Sequence, residues 1–125
     1  MAITILVNSD GANIEANEKS TLGITIDFTD DDDAAVAPTS ATWTLTDNSG
    51  NVINGKEDVV ITAPTSSEII TLSGDDLQIL TVETSLETIG RRFLIEAIYT
   101  SSLGAGLPLK DSCFFVIRNL AAVAQ

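Results

Sequence analysis

Apolar and polar residues alternate with a period of two along most of the 125-residue chain. That is the pattern of strands with one buried face. It is clearest from Thr21 to Thr29, where Leu22, Ile24, Ile26 and Phe28 point one way and Thr21, Gly23, Thr25 and Asp27 the other. Ile3, Ile5 and Val7 alternate with Thr4 and Leu6 in a first strand. From Ala41, Trp43 and Leu45 share a face, and Thr42, Thr44 and Thr46 form a ladder of β-branched residues on the other. Val52 and Ile53 predict a short return strand, and 58–62 and 68–72 predict two more around Pro64-Thr65-Ser66. From Arg92 to Thr100, Phe93, Ile95, Ala97 and Tyr99 oppose Arg92, Leu94, Glu96 and Ile98. The last strand, Cys113 to Arg118, is apolar on both faces, which predicts a central or covered position.

Asp47-Asn48-Ser49-Gly50-Asn51 carries turn chemistry, because Asp and Asn bond their own backbone and Gly accepts positive φ. Ser73 to Leu77 reads as a helical turn with Ser73 as its cap. The segment 78–89 is ambiguous between a strand at Leu80-Thr81-Val82 and a loop insertion. Many strands and almost no helical periodicity predict an all-β sandwich or barrel. Trp43 on the third strong strand and Tyr99 at the end of the penultimate one favour an immunoglobulin-like β-sandwich of seven to eight antiparallel strands, without a disulfide. The expected division is a lead-in strand or arm at 1–20, a sandwich at 21–120 and a tail at 121–125. The apolar termini have two open placements: pairing within their own sandwich, or addition to a neighbour's edge.

Composition narrows the function classes. Six basic and 18 acidic residues give a net charge of −12, the wrong sign for a free nucleic-acid binder. Histidine is absent, so the usual general base and the commonest transition-metal ligand are missing. The single cysteine, Cys113, has no partner for a disulfide and no His for nucleophilic catalysis. No apolar run is long enough to span a bilayer, and 1–7 lacks the form of a signal peptide. The reading is therefore no enzyme, no cofactor, no nucleic acid and no membrane. The charge is also split, with −14 through Gly90 and +2 from Arg91 onward.

Several segments carry a resemblance: Ile26-Asp27-Phe28-Thr29-Asp30, Pro38 to Asp47, Gly50-Asn51-Val52-Ile53-Asn54, Leu72 to Leu77, and Leu103 to Asp111. From Thr21 to Leu120 the chain resembles the small immunoglobulin-like structural proteins of tailed bacteriophages. The resemblance implies a virion structural role, as a capsid decoration or cement protein or at the neck or tail. It carries no catalytic residues.

Three groups are candidates for a partner interface. Asp30, Asp31, Asp32 and Asp33 form a run that reads as a solvated loop, a contact for a basic partner patch, or a Ca²⁺ site without EF-hand spacing. Ser101 to Leu109 reads as a loop with three leucines, Leu103, Leu107 and Leu109, spaced by Gly104 and Gly106. These leucines either close the end of the sandwich or form an apolar docking tip. Arg91 and Arg92, with Lys110 and Arg118, suit a small basic patch that pairs with carboxylates of another subunit.

The first expectation is a multi-copy, non-enzymatic virion protein bound to the major capsid protein or another structural protein, made in a host cytoplasm and acting as a homo-oligomer or array. A neck or tail ring is the second. A carbohydrate- or host-surface-binding module is the third.

Overall fold

The structure is a computed structural model that describes residues 2–7, 15–30, 32–80 and 83–120, with residues 2–7 described by their backbone. The strands are β1 (Ala2–Val7), β2 (Glu15–Asn17), β3 (Thr21–Thr29), β4 (Ser40–Asp47), β5 (Val59–Val60), β6 (Ser67–Ser73), β7 (Thr88–Ser101) and β8 (Gly104–Arg118). A 3-10 helix, Gly74–Leu77, follows β6. The strands form a three-stranded sheet, β1-β3-β6, and a five-stranded sheet, β2-β8-β7-β4-β5. The fold is an all-β sandwich. The expected C-terminal tail, 121–125, lies outside the described residues.

Alternation builds the core. The burial of β3 alternates without a break, placing Leu22, Ile24, Ile26 and Phe28 inside. Leu72 of β6 joins them. The opposing sheet contributes Ala41, Trp43 and Leu45 from β4, Phe93, Ile95, Ala97 and Tyr99 from β7, and Phe115 and Ile117 from β8. Trp43 stacks on Phe93 with ring centroids 5.4 Å apart and planes at 26°. Offset stacking of this kind adds to the area that the rings bury.

The lead-in belongs to the sandwich. β1 pairs antiparallel with β3 of its own chain, Ala2 opposite Thr29 and Val7 opposite Ile24. β2 crosses to the other sheet and pairs parallel with β8 at Glu15–Asn17. The expectation of antiparallel strands throughout is therefore corrected at β2.

The largest departure from expectation is at 101–112. β7 and β8 form one long hairpin in continuous antiparallel register from Thr88↔Arg118 to Tyr99↔Leu107, closed by Ser101↔Gly104 after a bulge. The leucine-bearing loop is thus two paired strand arms around a turn at Ser102 and Leu103. Gly104 takes φ +146 at the turn, a region side chains rarely enter. Elsewhere the return strand at Val52 shrinks to an isolated bridge with Thr46. Residues 83–85 form a helical turn, and Thr81 and Val82 lie outside the described residues.

Candidate interaction surface

The outer face of the five-stranded sheet carries the residues out of phase with the core. On β7 these are Arg92, Leu94, Glu96 and Ile98. On β8 they are Pro108, Lys110, Ser112, Phe114 and Val116, which pair with them across the ladder. On β4 they are Thr42, Thr44 and Thr46. Phe114 is 46% exposed, Ile98 36% and Val60 70%. Phe114 is the only one of the six aromatic residues that is not buried. Its ring lies over Gly90: a Cβ there would stand 2.7 Å from Phe114 Cζ and 2.5 Å from Asn48 Nδ2, so the glycine makes room for both.

The expected basic patch is divided. Arg91 is in phase with Phe93 and Ile95 and is wholly buried. Its guanidinium meets Glu83 twice: Nη2 donates to Oε1 at 2.7 Å and Nη1 to Oε2 at 2.9 Å. Nη1 also donates to the Gly90 carbonyl and Nη2 to that of Gln78. The bonds from Arg91 hold the Glu83 carboxyl below its usual range. Arg91 thus ties the segment after the 3-10 helix to the core and is withdrawn from any external partner. Lys110 lies 3.6 Å from Glu96, and Arg118 lies 3.5 Å from Glu15, both at the surface. Arg92 is exposed and has no carboxylate within 4 Å among the described residues.

The three leucines separate as well. Leu109 is buried and Leu107 packs partly against the core, so these two close the sandwich end. Leu103, at the hairpin tip, is 65% exposed. An apolar docking tip made of all three is corrected to Leu103 alone.

The acidic run is a self-satisfied turn. Asp30 Oδ1 accepts the backbone N–H of Asp32 at 2.9 Å and of Ala34 at 3.0 Å. Asp32 and Asp33 are exposed, and Asp31 lies outside the described residues. Among the described residues no group of three or more His, Cys, Asp or Glu side chains is arranged to hold a metal ion.

Two of the clefts on the surface stand out among the described residues. One of about 170 Å³ lies between Ser40, Thr42, Glu96, Ile98, Pro108 and Lys110 on the outer face. It is smaller than the roughly 300–1,000 Å³ of ordinary ligand pockets. The other, about 400 Å³, lies between the Asp47–Asn51 turn, Glu83, Leu86 and Gly90. Its carboxylates are committed. Asp47 accepts the side-chain amide of Asn51 and the N–H groups of Asn51 and Ser49, which together lower its pKa, and Glu83 is held by Arg91. Cys113 is half-buried, and desolvation pushes its thiol up to about 11, the opposite of an activated nucleophile.

No protein-family model, curated protein or solved structure matches this chain.

What the described residues present is a surface. One aromatic, a threonine ladder and a few charges lie on one sheet face, with an apolar tip at one end. Among the described residues no helix is long and apolar enough to cross a membrane.

Proposed function

We propose that the chain is a non-enzymatic structural component of a tailed-phage virion, present in many copies and decorating or cementing the capsid shell. The resemblance from Thr21 to Leu120 gives the reading its direction. The strand order supports an immunoglobulin-like topology: β1-β3-β6 stand as strands A, B and E, and β2-β8-β7-β4-β5 as A′, G, F, C and C′. Trp43 then sits on the strand where such sandwiches bury a tryptophan, with Phe93 in place of a disulfide as its packing partner.

The observation that carries the functional reading is the distribution of exposed apolar residues on a rigid two-sheet body. Leu103 stands at the hairpin tip, Ile69 on the open β6 edge, and Phe114 and Val60 on the sheet face. Such positions suit docking on neighbouring subunits rather than enclosing a small molecule. Multivalency makes a modest contact per copy sufficient on a shell. A sugar-binding module is less well served, because Trp43 and Tyr99 are buried and Phe114 alone offers a ring face.

Quantitative mass spectrometry of purified phage particles from the strain encoding the chain tests the proposal. Hundreds of copies per particle would support shell decoration. A ring-like number, about six or twelve, would move the chain to the neck or tail. Absence from particles would overturn the virion role.

A further inference from the structure

The outer face of the five-stranded sheet differs in charge from the rest of the molecule. It carries Arg92, Lys110 and Arg118 against Glu15 and Glu96, with Asp58 at the rim beside Thr44. That balance is even on a chain whose net charge is −12. Any two copies repel overall, and contact through this face incurs the least of that repulsion.

We propose that a second copy of this chain packs on this face, about a two-fold axis that lies across the strands and passes over Leu94. The strand register places Ser112 and Thr44 beside Leu94, so the axis also passes over these two residues. Residues equidistant from the axis then meet. Arg92 of one copy meets Glu96 of the other, twice. Phe114 comes over Lys110, a cation against an aromatic face. Val116 meets Pro108, Thr46 meets Thr42, and Ile98 falls on the Phe114 ring where it covers Gly90. Leu94 meets its own counterpart at the centre.

Other centres do worse. An axis over Arg92 would set arginine on arginine. One over Glu96 would set Glu96 on Glu96 and Lys110 on Lys110. Among axes across the strands the charge pattern is self-complementary about Leu94 alone; an axis along the strands between β7 and β8 would set Glu96 on Lys110 but leave Arg92 facing Phe114, so R92E would not weaken that arrangement.

The area is sufficient. Three long strands with short flanks, at about 4.8 Å per strand and 3.3 Å per residue, make a face of about 500 Å² per copy. The pair would bury about 1,000 Å², the lower limit for a specific interface. Aligned sheets cross at about 30°, which concentrates the contacts around Leu94.

This inference goes beyond the virion reading, because self-association of the purified chain stands or falls whether or not the chain enters a particle. Sedimentation velocity of the purified chain at about 1–200 µM is expected to show a monomer–dimer equilibrium. R92E and E96R, each at a surface position, should separately weaken the dimer by about a hundredfold or more, since each sets like charges together twice. Mixing the R92E chain with the E96R chain should restore a one-to-one dimer, because both contacts between positions 92 and 96 across the axis are then again between opposite signs. Unchanged melting of both variants shows that they are folded, and S112R at the axis gives an independent block. An unmodified chain that stays monomeric at about 200 µM would overturn the proposal. So would a dimer indifferent to R92E and E96R, or variants that fail to recombine.

Discussion

Removing the Glu83 carboxylate should destabilise this sandwich more than removing the arginine it binds. The Arg91 side chain is 0% exposed and that of Glu83 is 14% exposed. In Glu83→Ala the guanidinium keeps hydrogen bonds only to the carbonyls of Gln78 and Gly90, at 3.2 and 2.9 Å, and its one remaining counter-charge among the described residues is the more distant Asp47, which is already committed to Asn51 and Ser49. Stranding a buried charge in this way costs about 3–5 kcal/mol. For 125 residues, at about 2.1 cal/mol/K of unfolding entropy per residue, that lowers Tm by about 11–19 °C. In Arg91→Met the surviving carboxylate can turn to water, so the loss should be smaller, about 1–3 kcal/mol. Replacing both residues, R91M with E83L, should recover most of the stability, because an apolar pair needs no desolvated charges. Urea unfolding followed by the fluorescence of the single tryptophan, Trp43, measures all three. The sign with pH follows from the same contact. Arg91 depresses the Glu83 pKa in the folded chain below its unfolded value. The stabilisation is complete above the unfolded value, near 4.5, and is lost as pH falls through the depressed folded one. Glu83→Gln should remove this part of the acid limb. A cost for Glu83→Ala below about 1 kcal/mol, or an arginine variant that suffers more, would refute the reasoning.

Three further outcomes are expected. At pH 8 a thiol pushed up to about 11 is about 0.1% thiolate, so iodoacetamide should label Cys113 over a hundredfold more slowly in the native chain than in urea; equal rates would contradict its burial. Leu109→Asp should cost about 3 kcal/mol or more and Leu103→Asp less than about 0.5 kcal/mol by thermal melting, since only the first is buried; equal losses would mean that the hairpin tip is packed. Raising ionic strength from about 0.05 to 1 M should promote higher-order association, seen by light scattering, and a Lys in place of Ile69 on the open edge should suppress it; growth that ignores I69K would place the contact elsewhere.

The sequence pattern located β3, β4 and β6 to within a residue, whereas β7 begins at Thr88, four residues before the expected Arg92. Thr21–Thr29 is read directly because nine residues alternate without exception. The same parity, carried two residues back from Phe93, puts Arg91 on the inner face, but its charge argued for the surface. The deciding partner, Glu83, lies in the ambiguous segment, and no local pattern connects them. The hairpin arms were hidden by Gly104, Ala105, Gly106 and Pro108, which locally favour a loop. Pro108 is tolerated because the Ile98 carbonyl turns to β4, where it accepts the Thr39 N–H at 2.7 Å. Ile98 and Pro108 are therefore a non-bonded pair, and the missing N–H of Pro108 faces the open side of β8. The parity of Leu107 and Leu109 with Phe115 and Ile117 was the signal that these two residues turn inward. The outer face was less legible, because Arg92, Glu96, Lys110 and Phe114 each look ordinary until the register sets them side by side.

The charge split along the chain becomes a division of surfaces once the sheets form. The positive segment is the β7–β8 hairpin, the centre of the larger sheet. The three-stranded sheet has the opposite problem, because among the described residues β6 bonds only to β3. The bonds Phe28 N–H to Ser66 and Gly74 N–H to Ser20 fix the parity of that ladder, so Ile69 and Thr71 turn their backbone groups to the open edge. That edge has no Lys, Pro or bulge to block strand addition, and its one acid, Glu68, is bonded to Thr65. Its protection is long-range: Asp27, Glu68 and Asp75 beside it share the sign of the whole molecule, so a second copy approaching edge-on meets only repulsion. The balanced face opposes association least and the acidic edge opposes it most. A uniform spread of the same 18 acids would lose that contrast and leave the unguarded strand as available as the sheet face.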